Sequence, residues 1–135
     1  MKKVILLIFC VIGLFSSCRK EESPALQIVG SWELIMLDGS TVPSELSVWL
    51  DFSDDGTFAI YQRADSQVLY RRLVGRWSVT GDMLHGTYDD GSSWASAYKI
   101  ALSGPELTLT SSEEETTVYV KKPLPASVTD SVLSQ

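Results

Sequence analysis

Turn residues cut residues 28–122 into short segments of alternating apolar and polar side chains, and that spacing confines the region to an all-β fold. Asp54-Asp55-Gly56, Thr80-Gly81-Asp82, Asp89-Asp90-Gly91 and Ser103-Gly104-Pro105-Glu106 each read as a turn. Asp and Gly tolerate the positive φ angles that tight hairpins need. Between the turns the alternation assigns faces. Residues 31–37 put Trp32, Leu34 and Met36 on one side, and residues 48–53 put Val48, Leu50 and Phe52 on one side. Residues 57–63 alternate around Phe58 and Ile60. Residues 68–79 form a long strand in which Gly75 marks a bulge or bend. Residues 83–88 follow, then 93–102 with Trp94, Tyr98, Ile100 and Leu102 on one face, then 107–112 and 116–122. No stretch has sustained helical periodicity, and residues 43–46 make one helical turn at most.

About eight consecutive strands with short links favour an antiparallel up-and-down barrel, because closure removes exposed strand edges. A sandwich usually needs longer crossovers. The longest link, residues 38–47, is long enough to lie over one barrel mouth. Whether the last strand pairs with the first is left open, so an open rolled sheet is the alternative.

The amino terminus constrains location. Lys2-Lys3 precede an apolar run over residues 4–15, followed by Ser16-Ser17 and Cys18. The run is about 12 residues, within a signal h-region and short of the roughly 20 that span a bilayer. The pattern resembles a lipoprotein signal, although Phe15 stands where Leu is preferred, three places before the cysteine. That resemblance implies cleavage before Cys18 and lipidation of its thiol. Cys10 leaves with the signal, so no intramolecular disulfide is available and the fold must stand on its core. Arg19-Lys20-Glu21-Glu22 resembles the surface-export signal of Bacteroidota lipoproteins. The expected location is therefore the cell envelope, anchored to the outer membrane and exposed at its surface. Four segments result: a signal peptide (1–17), Cys18 and a flexible tether (18–27), the barrel (28–122) and a loosely ordered tail (123–135). Loss of Lys2 and Lys3 leaves nine basic residues against 17 acidic ones, a net charge of −8. Such a chain is a poor partner for nucleic acid.

Several short motifs occur in order along the barrel region. Gly30-Ser31-Trp32 opens the first strand. Phe52-Ser53-Asp54-Asp55-Gly56-Thr57-Phe58, Gly75-Arg76-Trp77, Leu84, Tyr98 and Leu107-Thr108-Leu109 follow. Their order resembles the lipocalin-like domains of small Bacteroidota lipoproteins. The resemblance spans residues 28–122 and implies a calycin-type β-barrel. It also implies that Trp32 closes one barrel end with a basic residue over it, a role Lys121 or Lys122 would take by a cation–π contact. Gly30, Trp32, Gly75, Trp77 and Lys121 are accordingly the expected structural residues of the barrel ends. The core is short for the family, so the barrel holds one small ligand or fills with side chains.

Chemistry is sparse. His85 is the single histidine and reads as a surface residue opposite Leu84 and Tyr88. No G-x-S-x-G elbow is present. Asp51-Phe52-Ser53-Asp54-Asp55-Gly56 has the spacing of a calcium-loop start, but the twelfth position is Gln62 rather than Glu and the flanks alternate like strands. A hairpin turn is the simpler assignment, and no metal, cofactor or catalytic residue is expected. Among Arg71, Arg72 and Arg76, Arg71 shares a face with Leu69 and Leu73. It is the candidate anchor for a ligand carboxylate inside the barrel, with solvated surface arginines as the alternative. Trp49 alternates against Leu50 and Phe52 and is a candidate stacking residue, or packs under the 38–47 link. Tyr98 completes the ligand-binding set. Two function classes stay open: a non-catalytic binder of a small apolar or amphipathic ligand, or a filled barrel serving as a protein-interaction module or accessory subunit of a cell-surface complex.

Overall fold

The strand β1 (Gly30–Leu37) pairs on both of its edges, and this closes the sheet. The computed structural model describes residues 24–64 and 67–133. The secretion signal, Cys18 and the tether up to residue 23 lie outside the described residues. A short helix α1 (Pro24–Ile28) leads into β1, where the tether is expected from sequence to continue to residue 27. The strands that follow are β2 (Ser40–Thr41), β3 (Ser47–Phe52), β4 (Thr57–Arg63), β5 (Arg71–Thr80), β6 (Met83–Tyr88), β7 (Tyr98–Ser103), β8 (Glu106–Thr110) and β9 (Thr116–Lys121). Helix α2 (Ala126–Thr129) comes last. All strand pairings within the sheet are antiparallel between neighbours in the order β1-β3-β4-β5-β6-β7-β8-β9, and β9 returns to β1. The result is a closed eight-stranded barrel. The two-residue β2 is an extra arm that folds back on the end of β1.

The interior follows the alternation. Trp32, Leu34, Leu50, Phe52, Phe58, Leu84, Ile100, Leu107, Leu109 and Tyr119 form one buried cluster. Burial of a side chain of this size contributes roughly 1.5–3 kcal/mol, so this cluster supplies the main cohesion of the described residues, which contain no cysteine. The inward phase of β1 breaks once. Leu34 pairs with Tyr119 and Met36 with Val118, so Ile35 is an extra residue. Beyond that bulge Leu37 packs on the core in place of Met36. The link after β1 sets Val42 and Leu46 against the same cluster.

One barrel end is sealed. Ile28 and Trp32 are almost wholly buried, and the Trp32 indole N–H donates to the Ile28 carbonyl at 2.8 Å. Lys121 lies opposite Trp32 on β9, holds its Nζ 5.3 Å from the ring centroid and donates to the Val29 carbonyl at 3.1 Å. Gly30 makes this possible. Its φ is +130°, and a Cβ there would stand 2.9 Å from Lys121 Cε. Gly75 is needed for a different reason, since a Cβ there would overlap the Thr87 carbonyl oxygen and crowd Phe58. Gly75 pairs in register with Phe58 on one side and Tyr88 on the other, so it is a point of close approach rather than a bulge. Trp77 donates its indole N–H to the Ser53 carbonyl at 3.1 Å and meets Phe52 edge-on at 5.3 Å, which pins the β3–β4 hairpin to β5. In that hairpin Asp55 accepts from both the backbone and the hydroxyl of Thr57.

The carboxyl-terminal segment corrects the expectation of a loose tail. Tyr70 N–H donates to the Ser131 carbonyl and Leu133 N–H to the Tyr70 carbonyl, giving a parallel bridge at Val132. Val128, 2% exposed, joins Trp49, Ala59, Tyr61 and Tyr70 in a second cluster on the outer face of the barrel. Trp49, Ala59 and Tyr61, on the outer face of β3 and β4, present apolar surface, and the segment docks to cover it. Residues 68–70 precede β5 instead of belonging to it. Val128→Asp is expected to detach the segment and lower unfolding free energy by about 1.5–3 kcal/mol in urea titrations, and unchanged stability would show that the docking contributes nothing.

Candidate functional site

The end of the barrel opposite Trp32 is not filled. A cavity of about 240 Å³ opens there. Leu50, Phe52 and Ile60 of β3 and β4 form one wall, Leu109, Thr117 and Tyr119 of β8 and β9 another, and Tyr88, Trp94, Ala95 and Tyr98 the third. The third wall exists because β6 and β7 pair at only two positions, Met83 with Lys99 and Leu84 with Tyr98. Beyond Leu84 the strands part and residues 89–97 fill the gap. Trp94 N–H donates to the Gly86 carbonyl at 2.9 Å, and Tyr88 N–H to the Ser92 carbonyl at 2.7 Å. The Trp94 ring lies on Gly86, where a Cβ would overlap the indole. Phe58 meets Trp94 at 5.1 Å and Tyr88 at 5.8 Å, and Trp94 meets Tyr98 at 5.9 Å, all edge-to-face. Aromatic pairs in this geometry contribute about 0.5–1.5 kcal/mol beyond their burial, so the wall is a connected unit.

The electrostatics of the cavity disfavour negative charge. Among the described residues, no basic side chain lines it. Burial pushes the Tyr119 phenol up to about 12, partly offset by a hydrogen bond with Thr117. Burial also raises Tyr98, helped by the nearby Tyr88 and Glu115. A larger trough of about 750 Å³, about as open to solvent as the first, lies along β5 and the carboxyl-terminal segment and shares Tyr88 with the cavity. It carries Arg71 and Arg72 together with Asp89 and Asp90, and so lacks a single electrostatic character.

The ligand-binding residues expected from sequence separate here. Tyr98 lines the cavity. Arg71 does not: it is the first residue of β5, exposed at the rim, and borders the outer trough. Its strand phase is inward, but the inward face has already given out into solvent at that position. Trp49 is 5% exposed and belongs to the outer cluster, so it neither stacks in the cavity nor lies free on the surface. The other arginine of the pair, Arg72, faces outward, donates to the Tyr61 hydroxyl at 3.2 Å and lies over that ring. His85 is exposed on β6. Sequence periodicity places Trp94 in a strand beginning at residue 93, whereas the strand starts at Tyr98. The signal for its true position is Gly86, an inward-phase glycine between Leu84 and Tyr88 that leaves room for a ring.

The family model described as a lipocalin-like domain matches residues 28–109. No curated protein matches the chain.

A tyrosine whose folded pKa is raised holds its proton more tightly in the folded state. Stability is therefore full below about pH 10, the unfolded value, and is lost as pH rises through about 12. The expected slope from Tyr119 is about 1.4 kcal/mol per pH unit in that window. Urea unfolding between pH 9 and 11.5 measures it, and Tyr119→Phe is expected to remove this component.

Proposed function

This chain belongs to the lipocalin-like domain family, and from that premise we propose that it binds one small apolar or amphipathic molecule in the cavity at the open barrel end, without a catalytic step. The observation that carries this reading is the cavity itself: a concave, mainly aromatic and aliphatic pocket at the mouth of a closed barrel. Eight-stranded barrels are wide enough for one small ligand. Binding comes from removal of apolar ligand surface from water, and Tyr98 on the wall supplies a polar edge.

In this reading the domain is held at the cell envelope by lipid on Cys18. The basic start, the short apolar run and the small residues before Cys18 support the anchor. Arg19-Lys20-Glu21-Glu22 supports the outer-membrane surface. The second reading, a module that docks on a cell-surface protein, draws on one observation. Val68, Leu69 and Leu133 are 81%, 37% and 44% exposed, and they border one shallow apolar depression.

Native mass spectrometry of the protein taken gently from its own envelope separates the two. The expected result is a noncovalent small-molecule adduct that denaturation removes. A bare chain arriving with another polypeptide moves the assignment to the docking module. Cys18→Ser is expected to shift the protein from the membrane pellet to the soluble fraction, and continued pelleting would remove the lipid anchor from the proposal.

A further inference from the structure

The trough along β5 combines apolar surface with both signs of charge. Leu73, Val132 and Leu133 contribute the first. Arg71, Arg72, Asp89 and Asp90 contribute the second. Two of these four charges are engaged within the fold. Arg72 donates to the Tyr61 hydroxyl at 3.2 Å, and Asp90 accepts from the backbone N–H of Ser92 at 2.9 Å and from its hydroxyl at 2.6 Å. Arg71 and Asp89 are exposed, and the one ion pair among the described residues joins Lys122 to Glu33 instead. The trough therefore offers one guanidinium and one carboxylate that no other described side chain neutralises.

Their spacing follows from the strand. The Asp89 N–H donates to the Val74 carbonyl at 3.0 Å, which sets Asp89 beside a residue three places along β5 from Arg71. Three strand residues cover about 10 Å, and an extended peptide of three residues spans about the same length. The volume of about 750 Å³ is ample for such a molecule. We propose that this trough is a second binding site, for a short apolar peptide of about three residues with both ends free. Its carboxylate meets Arg71, its ammonium meets Asp89, and its side chains cover Leu73, Val132 and Leu133. A guanidinium can hold a terminal carboxylate by two parallel hydrogen bonds. A ligand with a single charge satisfies only one of the two protein groups, so the pair selects a zwitterion. The site is separate from the cavity reading and does not depend on it.

Four forms of the tripeptide Leu-Ala-Leu test this on the full-length protein in detergent: free, N-acetylated, C-terminally amidated, and blocked at both ends. At pH 6.5 both free ends are charged. The backbone amide resonances of Val74 and Asp89 follow each titration. The free peptide is expected to bind most tightly, and each block to weaken binding about fivefold, the upper end for an exposed ion pair. Arg71→Gln is expected to make the free and amidated peptides bind alike. Asp89→Asn is expected to make the free and acetylated peptides bind alike. Both side chains are exposed and unengaged, so the substitutions leave the fold intact. Equal binding of all four forms overturns the inference, and so does tightest binding of a singly charged form. A free-peptide advantage that survives both substitutions overturns it as well, as does the absence of any shift. None of these outcomes touches a small-molecule adduct seen by native mass spectrometry, so failure here leaves the cavity reading standing.

Discussion

Pairing of β1 with β9 is the constraint on which the rest of this fold depends. It abolishes the two free edges that eight antiparallel strands would otherwise present. It also sets Trp32 directly opposite Lys121, so that sheet closure and end closure share the same residue pair. Gly30 is the small residue that lets the lysine stem cross the chain on its way to the Val29 carbonyl. The exposed ion pair between Lys122 and Glu33 on the same seam is a minor contributor by comparison, since surface pairs are worth at most about 1 kcal/mol.

Two apolar clusters on opposite faces of β3, β4 and β5 divide the work. The inner one follows residues of one strand phase and leaves its far end hollow. The outer one uses the other phase, Trp49, Ala59 and Tyr61, and needs the carboxyl-terminal segment to keep it from water. A sheet apolar on both faces is ordinary when something covers each face, and here the cover is a four-residue helix and one parallel bridge.

Much of this was legible in the sequence. Asp-Gly turns and alternation pointed to about eight antiparallel strands and favoured a barrel, because those signals depend only on neighbouring residues, while its closure was left to the pairing of β1 with β9. The Gly30-Ser31-Trp32 triplet pointed to one barrel end. What escaped depended on residues far apart in the chain. Trp49 read as a stacking residue or as packed under the 38–47 link, because the segment that buries it lies some eighty residues later. Arg71 had the correct strand phase for an inward anchor, but phase does not reveal where a barrel wall ends. Trp94 continued the alternation of Tyr98 and Ile100 in sequence, yet β6 and β7 part beyond Leu84 and the chain there is a loop. The bulge at Ile35 exchanges Met36 for Leu37 in the core, a shift set by the facing strand and not by β1 itself.

The chain enters the barrel through its sealed end. Helix α1 delivers Ile28 beneath Trp32, and the hollow end lies at the far pole. On the proposed attachment through Cys18, six peptide steps separate anchor from helix, a reach of about 20 Å. The geometry of such a mooring is that of a cup held by its foot. On that reading the mouth of the cavity lies at the pole away from the point where the described chain enters the barrel.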